Sequence, residues 1–265
     1  MSAPADVWAA GNAYEPYVGR WSRVVAREFL EWLAPANGER WLDVGCGTGA
    51  LTEAILEIAA PARVDAVDAS AAYVEFARDR IRDSRVVFDV ADARTLPTPS
   101  ASVDIVVSGL VLNFVPEPET ALREMARVVR PGGHVAVYLW DYAGEMQLMR
   151  HFWDAAAELD ARAAALDEGR RFPICQLAPL ETLFRNAGLQ KVEGRAIDAP
   201  TRFRDFSDYW TPFLGGQGPA PTYAMSLTED QRTTLRERLR ARLSTAPDGS
   251  IDLIARAWAV RGERK

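Results

Sequence analysis

The chain has 265 residues, which is enough for one large α/β domain or for a core with an added cap. Its hydrophobic content of 48% and charged content of 26% are ordinary for a soluble globular protein. A net charge of -6 gives no general attraction to phosphate backbones, so we expect no nucleic-acid partner. Two cysteines and two histidines give no disulfide framework and no basis for a metal site.

We expect no targeting signal at the beginning of the given sequence. Residues Met1 to Ala13 include Asp6 and contain no apolar run, so we expect no signal peptide. No segment reaches the ~20 consecutive apolar residues that a membrane helix needs. We therefore expect a cytoplasmic protein, a monomer or homodimer, with no membrane partner.

An aromatic segment precedes the first predicted helix, which runs from Ser22 to Leu33. In one interpretation its rings pack under this helix. In the other, the segment folds over a ligand pocket, with Tyr17 and Arg20 on the cofactor and Tyr14 and Trp21 on the substrate. Arg20 would then offer its fork of donors to a carboxylate.

A glycine-rich turn links a short strand, Trp41 to Val44, to a helix that starts at Leu51. The sequence from Asp43 to Gly49 reads DVGCGTG. Glycines let the backbone approach a ligand closely, and the free amides at a helix start favour polar or negative ligand atoms. These are the parts of a nucleotide-type site in an open α/β sheet.

The spacing of the glycines distinguishes two cofactor classes. A dinucleotide site has G-x-G-x-x-G, whereas here Ala50 stands at the position of the third glycine. Because alanine is small, this difference disfavours a nicotinamide cofactor without excluding it. Asp43 would repel a pyrophosphate but suits a cationic or amine-bearing ligand.

Acidic residues also follow the next two predicted strands. Asp68 ends the second strand 25 residues after Asp43, close to the ~20-residue offset at which a carboxylate meets ribose hydroxyls in such folds. The alternative is a surface acid that caps the following helix. Asp92 and Ala93 follow the third strand, Val86 to Val90. A carboxylate there can accept from an exocyclic amine, and a small side chain lets a flat ring lie on the backbone.

The fourth predicted strand, Val103 to Ser108, is apolar enough to be buried in a parallel sheet, and it ends at Ser108-Gly109-Leu110. Next we predict a helix from Glu119 to Val129, a helix stop over Arg130 to Gly133 and a fifth strand from His134 to Trp140. We interpret His134 as structural.

The chain resembles the class I S-adenosylmethionine-dependent methyltransferases in three features. These are the motif DVGCGTG, the acids after strands two and three, and the block ALREMARVVRPGGHVAV. The pattern is most similar to the small-molecule branch that includes ubiquinone and menaquinone methylases. The resemblance covers Trp41 to about Trp140 well and the later segments loosely. It implies an α/β, Rossmann-like, doubly wound sheet of seven strands, mostly parallel, with helical cap insertions and an antiparallel last strand.

The same resemblance implies S-adenosyl-L-methionine as cofactor and S-adenosyl-L-homocysteine as product. Asp68 would hold the ribose, Asp92 and Ala93 the adenine, and Gly45 and Gly47 the methionine part. The expected cofactor-binding residues are Tyr17, Arg20, Asp43, Gly45, Cys46, Gly47, Gly49, Asp68, Ala69, Asp92, Ala93, Ser108, Gly109 and Leu110. Many relatives carry His-His or similar at the Asn113-Phe114 step, and this departure removes the basis for a proton-handling role there.

The βα alternation lapses in two segments that we interpret as caps. We predict an N-terminal helical segment and cofactor-binding core at 1–140, a cap at 141–178, core at 179–202, a second cap at 203–246 and the last core strand at 247–265. An apolar acceptor pocket is expected from Tyr14, Trp21, Trp140, Phe152, Trp153 and Trp210, although aromatics at helical spacing also form cores. His151 and Tyr142 are the candidate catalytic residues if the acceptor must lose a proton.

The expected activity is transfer of a methyl group to O, N or C of a small, fairly apolar molecule, with catalysis mainly by positioning. Three alternatives stay open. One is an NAD-type oxidoreductase. Another is an aminopropyl transferase, whose paired acids near the fourth strand are missing from Ser108 to Phe114. The third is a regulatory or scaffold protein that binds S-adenosylmethionine without turnover.

Overall fold

The computed structural model describes residues 19–215 and 218–265, so the predicted site residues Tyr14 and Tyr17 lie outside the described residues. The strands are β1 (Arg40–Val44), β2 (Arg63–Asp68), β3 (Val86–Val90), β4 (Val103–Gly109), β5 (Val129–Trp140), β6 (Gln190–Phe203) and β7 (Ile251–Glu263). The α-helices are α1 (Arg20–Leu33), α2 (Ala50–Ile58), α3 (Ala71–Arg80), α4 (Pro118–Val128), α5 (Gln147–Leu159), α6 (Glu168–Arg171), α7 (Leu177–Asn186), α8 (Phe206–Trp210), α9 (Pro219–Ser226) and α10 (Glu229–Arg242).

The seven strands form one sheet in the order β3-β2-β1-β4-β5-β7-β6. The pairs β1–β2, β2–β3, β1–β4 and β4–β5 are parallel, and β5–β7 is antiparallel. This confirms the predicted fold class, including the antiparallel last strand. Because the chain reverses its direction of winding between β1 and β4, ligands are expected in the crevice at the carboxyl ends of these strands.

The central strands are apolar because both faces of the sheet are covered. In β1, Trp41 and Leu42 have no exposed surface, and in β4 Val106 and Val107 have none. The strand register places Asp43 beside Val107 of β4. The loops that follow β1, β2 and β4 therefore leave the sheet at the same edge.

Strand β5 begins earlier than the sequence predicts. Helix α4 ends at Val128, just before the predicted stop over Arg130 to Gly133, but β5 already starts at Val129, where Val103 of β4 pairs with it. The pairing resumes at Ile105 and His134 after a register shift. Gly132, with a φ of +76°, provides the left-handed backbone that such a bulge needs.

Residue contacts divide the chain into two compact units. The sheet unit comprises 22–140, 174–197 and 257–265. The helical unit comprises residues 19–21, 141–173 and the described part of 198–256. Of the described helices, none is long and apolar enough to cross a membrane.

The helical unit has an aromatic core. Phe152 of α5 stacks on Phe213 with ring centroids 4.5 Å apart, and it meets Trp153 edge to face at 5.2 Å. The Tyr209 hydroxyl, in α8, donates to the Leu148 carbonyl at 3.0 Å. Offset and edge-to-face rings add specific attraction to their burial, so these contacts fix α5 against the segment after α8.

A buried ion pair fastens the start of α6 to α5. Asp167 accepts from both Nη1 and Nη2 of Arg150 at 2.9 Å, and as the N-cap of α6 it also accepts from the Gly169 amide at 2.8 Å. Its side chain is 7% exposed and that of Arg150 is 17% exposed. Breaking such a pair leaves a largely buried charge without its main counter-ion.

We expect Asp167→Asn to lower the free energy of unfolding by about 3 kcal/mol, because asparagine retains the cap but not the charge. Denaturant unfolding measures this difference. Asp160→Asn is the matched control, since Asp160 pairs with Arg162 in the same way but Arg162 is 91% exposed. Solvent screens that pair, so the control should stay close to wild type. Equal losses in the two variants would contradict the role assigned to burial.

Candidate functional site

The three glycines after β1 have different surroundings. All three have positive φ values: +78° for Gly45, +52° for Gly47 and +88° for Gly49. A Cβ at Gly45 would lie 2.5 Å from Val111 Cγ1, and one at Gly49 would lie 2.5 Å from Ile81 Cδ1. At Gly47 no described atom lies within 4 Å of that position. Packing therefore requires Gly45, whereas at Gly49 the Ile81 methyl group can move and the positive φ is the stronger constraint; Gly47 is the glycine that faces open space.

The loop uses most of its own amides internally, whereas the expectation for the amides at the start of α2 stays a prediction. The amides of Gly45 and Cys46 donate to the Val67 carbonyl at 2.7 and 3.0 Å. The Gly49 amide donates to the Cys46 carbonyl at 2.8 Å, so the Cys46 backbone is occupied on both sides. Its thiol is buried among Ala66, Val74 and Phe88, and burial raises its pKa. Cys46 is a packing residue of this loop.

Asp43 is a buried carboxyl at the end of β1. It has no exposed surface, and its Oδ2 accepts from the Thr52 hydroxyl at 2.6 Å. Its Oδ1 has no hydrogen-bond partner within the described part of the chain. Burial raises its pKa to about 7. A buried acceptor without a partner is costly, so this oxygen is suited to a donor group on a ligand.

The raised pKa of Asp43 predicts how stability depends on pH. The folded protein holds the proton of the Asp43 carboxyl more tightly than the unfolded chain does. Protonation of Asp43 therefore contributes fully to the free energy of unfolding below the ordinary pKa near 3.8, and this contribution is lost as pH rises to about 7. We expect wild type to lose stability relative to Asp43→Asn between pH 4 and pH 7, by up to about 1.4 kcal/mol per pH unit.

Denaturant unfolding of both proteins at pH 5, 6, 7 and 8 measures this difference. The difference should grow up to about pH 7 and then level off. Burial also raises the pKa of Glu168 to about 7. Because Glu168 is present in both proteins, its effect cancels in the comparison. A difference that is the same at every pH would contradict the buried, protonatable state of Asp43.

Asp68 connects β2 to the glycine loop. Its Oδ2 accepts from the Gly47 amide at 2.9 Å and its Oδ1 accepts from the Ser70 amide at 2.8 Å. Burial raises its pKa, and these two hydrogen bonds oppose that shift. Each carboxylate oxygen can accept a second hydrogen bond, so Asp68 can still receive two hydroxyl groups. Ala69 follows it and is exposed.

Asp92 is engaged by a residue that the sequence analysis did not consider. Arg94 donates to it from its amide at 2.8 Å, from Nε at 3.0 Å and from Nη2 at 2.6 Å. These bonds lower the pKa of Asp92 to about 2. The role of Asp92 toward an exocyclic amine stays a prediction, in which a ligand would share the carboxylate with Arg94. Ala93 is half-buried beside it.

The end of β4 is tightly packed. Ser108 is 1% exposed and pairs with Val137, and a Cβ at Gly109 would lie 2.5 Å from the Tyr138 hydroxyl. Leu110 has a φ of +62°, and its amide donates to the Tyr138 carbonyl at 2.8 Å. A leucine in the left-handed region is strained, and such strain is concentrated at functional sites.

Arg20 and Trp21 belong to the helical unit. The Arg20 guanidinium lies 4.3 Å from the Trp21 ring and 4.8 Å from the Phe203 ring, and its Nη1 is 3.4 Å from Asp208. Its Nε and Nη2 have no partner in the described ranges. With Arg204 and other residues it lines an open cleft of about 440 Å³. Nε and Nη2 form the edge of a guanidinium that binds carboxylates through two parallel hydrogen bonds.

The other predicted pocket and catalytic residues are mostly core residues. Phe152, Trp153 and Trp210 are at most 6% exposed in the aromatic core, and Trp140 is 2% exposed in β5. Trp153 Nε1 donates to Glu168. Tyr142 is 4% exposed and packs against Phe172. His151 is half-buried, and burial and the nearby Arg242 lower its pKa, which keeps its imidazole neutral. Their roles toward an acceptor stay predictions.

Sequence reasoning missed Thr52 and Arg94, two polar residues of the sheet unit, and considered Asn113 only as a departure from relatives. Thr52 bonds Asp43, Arg94 bonds Asp92, and Asn113 is buried without a hydrogen-bond partner for either side-chain atom within the described residues. A D-x-R pattern after a strand is a usable signal, since it forms a local fork. Thr52 and Asn113 have no distinct sequence pattern. Among the described residues no three His, Cys, Asp or Glu side chains form a group able to hold a metal.

Comparison with known proteins gives matches over the same core. Residues 42–137 match a family model described as a methyltransferase domain. The chain is 33% identical over 173 residues to the 27-O-demethylrifamycin SV methyltransferase of Amycolatopsis mediterranei, covering 62% of this chain and 59% of that protein. It is 41% identical over 106 residues to the demethylmenaquinone methyltransferase of Clavibacter sepedonicus, covering 40% and 42%.

A similar fold occurs in phosphoethanolamine N-methyltransferase 2 of Haemonchus contortus, solved with phosphomonomethylethanolamine and S-adenosylhomocysteine. The TM-score is 0.61 at 17% identity, over 96% of this chain and 57% of that chain, and this likeness concerns the fold alone. The chain spans about half the length of the curated relatives it matches. Residues 42–137 thus match a methyltransferase domain, and they lie in a sheet whose fold also occurs in solved methyltransferases.

Proposed function

We propose that this protein is an enzyme that uses S-adenosyl-L-methionine to methylate a small, fairly apolar molecule. The observation that carries the proposal is the pairing of a buried, half-satisfied carboxyl, Asp43, with a glycine loop in which Gly47 faces open space. Its location at the reversal of strand order supports a ligand site.

The residues present fit that cofactor. The vacant Oδ1 of Asp43 suits a donor such as the ammonium of the methionine part. Asp68 retains acceptor capacity for the two ribose hydroxyls, and Gly47 leaves room for the ligand at the backbone. By contrast, a pyrophosphate at this edge would meet the carboxylates of Asp43 and Asp68 without a compensating cation on the loop.

When bound, S-adenosylmethionine supplies an electrophilic methyl group on a sulfonium. The main role of the protein is then to hold the acceptor in line with the transferred methyl group and to exclude water. Gly47 and Asp68, bonded to each other, fix the shape of the loop before a ligand arrives. If the acceptor must lose a proton, we propose His151 as its base, because a neutral imidazole can accept one. Tyr142 is the second candidate.

Features of the chain and the names of its relatives both support a proposal for the chemical class of the methyl acceptor. One relative is named for methylation of a rifamycin oxygen and another for methylation of demethylmenaquinone, which supports an oxygen or carbon acceptor on a largely apolar molecule. Cys46 and Cys175, both within the described residues, are buried and are not joined in a disulfide, which supports a cytoplasmic location. The net charge of -6 supports the proposal that nucleic acid is not the substrate. We propose a monomer or homodimer.

A methyl-transfer assay tests the proposal against the scaffold alternative. Wild-type protein with isotopically methyl-labelled S-adenosylmethionine is given a panel of phenols, quinols and amines, and labelled products are separated from the cofactor. Transfer to a phenol or quinol is the expected result. Tight cofactor binding with no transfer to any acceptor would favour a regulatory or scaffold protein.

A further inference from the structure

Asn113 is a buried amide that the proposed cofactor contacts do not use. It is 8% exposed, in the short turn Leu112–Phe114 that follows β4. In the part of the chain that the structure describes, neither its Nδ2 nor its Oδ1 has a hydrogen-bond partner. Buried amides are almost always paired, so an amide with both sides unpaired needs an explanation.

The turn that carries Asn113 is held firmly in place. The Phe114 amide donates to the Val111 carbonyl at 2.8 Å, and the Val115 amide donates to the Leu112 carbonyl at 3.3 Å. The Val111 side chain fills the space where a Cβ of Gly45 would stand, so the turn packs directly on the glycine loop. The strained Leu110 begins the same segment. Rotation of the turn is therefore not an easy way to satisfy the amide.

We propose that Asn113 positions the methyl acceptor by bonding an uncharged hydroxyl group on it. This inference rests on the proposed function. The amide offers both a donor and an acceptor, and a hydroxyl can both accept and donate. A carboxylate would satisfy only the Nδ2 group and an ammonium only Oδ1, which leaves the other atom unpaired at a cost. An amide is not a base, so Asn113 is a positioning residue.

The experiment uses Asn113→Leu, which removes both polar atoms at similar volume, and Asn113→Ala as a smaller second variant. Thr201→Val is the matched control, because Thr201 is 1% exposed and its Oγ1 also has no partner among the described residues. Three quantities are measured: the thermal unfolding midpoint, the affinity for S-adenosylhomocysteine, and the affinities for phenol and toluene in its presence. Phenol and toluene have the same shape and differ in the hydroxyl group.

We expect the unfolding midpoint of Asn113→Leu to rise by about 2 °C or more, because an unpaired buried amide is replaced by an apolar group. Its S-adenosylhomocysteine affinity should stay within about twofold of wild type. Phenol affinity should fall about fivefold or more in both Asn113 variants, while toluene affinity is retained. Thr201→Val should raise the midpoint without any change in phenol affinity.

Several outcomes would overturn the inference. A fall of the midpoint in Asn113→Leu would mean that the amide has a structural partner. A tenfold loss of S-adenosylhomocysteine affinity would make it a cofactor residue. Equal binding of phenol and toluene to wild type, or no phenol binding at all, would refute the hydroxyl contact. Failure of wild type to bind S-adenosylhomocysteine would instead refute the proposed function, and the two failures are thereby distinct.

Discussion

Replacement of Asp68 with alanine is expected to weaken the binding of S-adenosylmethionine by ~10-fold or more. A hydrogen-bond acceptor of charged type contributes about 1.5–3 kcal/mol, and Asp68 is the acceptor proposed for the ribose hydroxyls. It also receives the Gly47 amide at 2.9 Å, so the variant loses part of the order of the glycine loop. Isothermal titration calorimetry of the two proteins measures the change.

Asp65→Ala is the matched control for this prediction. Asp65 lies in the same strand, but it pairs at the surface with Arg63, whose side chain is 50% exposed. Its removal should leave the cofactor affinity within about twofold of wild type, since surface pairs contribute little. Normal affinity in Asp68→Ala would mean that the acid at the end of β2 does not contact the cofactor.

The second large effect is expected from Gly45→Ala, which should lower the free energy of unfolding by about 3 kcal/mol. A φ of +78° costs an alanine about 1–2 kcal/mol, and the added Cβ would lie 2.5, 2.8 and 2.9 Å from three side-chain atoms of Val111. Overpacking of this kind costs about 1–3 kcal/mol, and valine is too stiff to rotate away. Denaturant unfolding measures the loss.

Gly47→Ala distinguishes packing from ligand contact. Its φ is +52° and no described atom lies within 4 Å of the new Cβ, so only the backbone strain of about 1 kcal/mol should appear in the unfolding free energy. Its cofactor affinity should nevertheless fall, because the methyl group would point into the open space of the proposed site. If both alanine variants unfold alike, the packing difference between the two glycines is not real.

The positions of the site residues along the sheet could be predicted from the sequence. Asp68 is the last residue of β2, and Asp43 and Ser108 lie one residue before the ends of β1 and β4; parallel strands bring their carboxyl ends to one edge. The predicted fold class is confirmed for the same reason, since strand order follows from repeated patterns, and the glycine motif lies in the region that matches a methyltransferase domain.

The hydrogen-bond partners within the site could not be predicted. The use of the Cys46 backbone by Val67 and Gly49, and the packing of Val111 on Gly45, depend on contacts between separate segments. The bulge that brings Val129 into β5 depends on pairing with β4, whereas the sequence there shows only a Pro-Gly-Gly turn. The sequence marked the Asn113-Phe114 step only as a departure from relatives, and the burial of Asn113 could not be predicted because a polar residue after a strand usually faces solvent.

The aromatic residues of the helical unit illustrate a different limit. Phe152, Trp153 and Trp210 were expected to line an acceptor pocket, and the same helical spacing equally predicts a core. In the structure Phe152 has no exposed surface and stacks on Phe213. The aromatic composition of this segment therefore predicted an apolar environment, but it did not distinguish a packed core from an acceptor pocket.

Calorimetric titration of wild-type protein with S-adenosylmethionine, S-adenosylhomocysteine and NAD tests the central claim most directly. One-site binding of the two adenosyl compounds, with no heat from NAD and with weakened binding in Asp43→Asn, is the predicted result. Binding of NAD together with no binding of either adenosyl compound would contradict it.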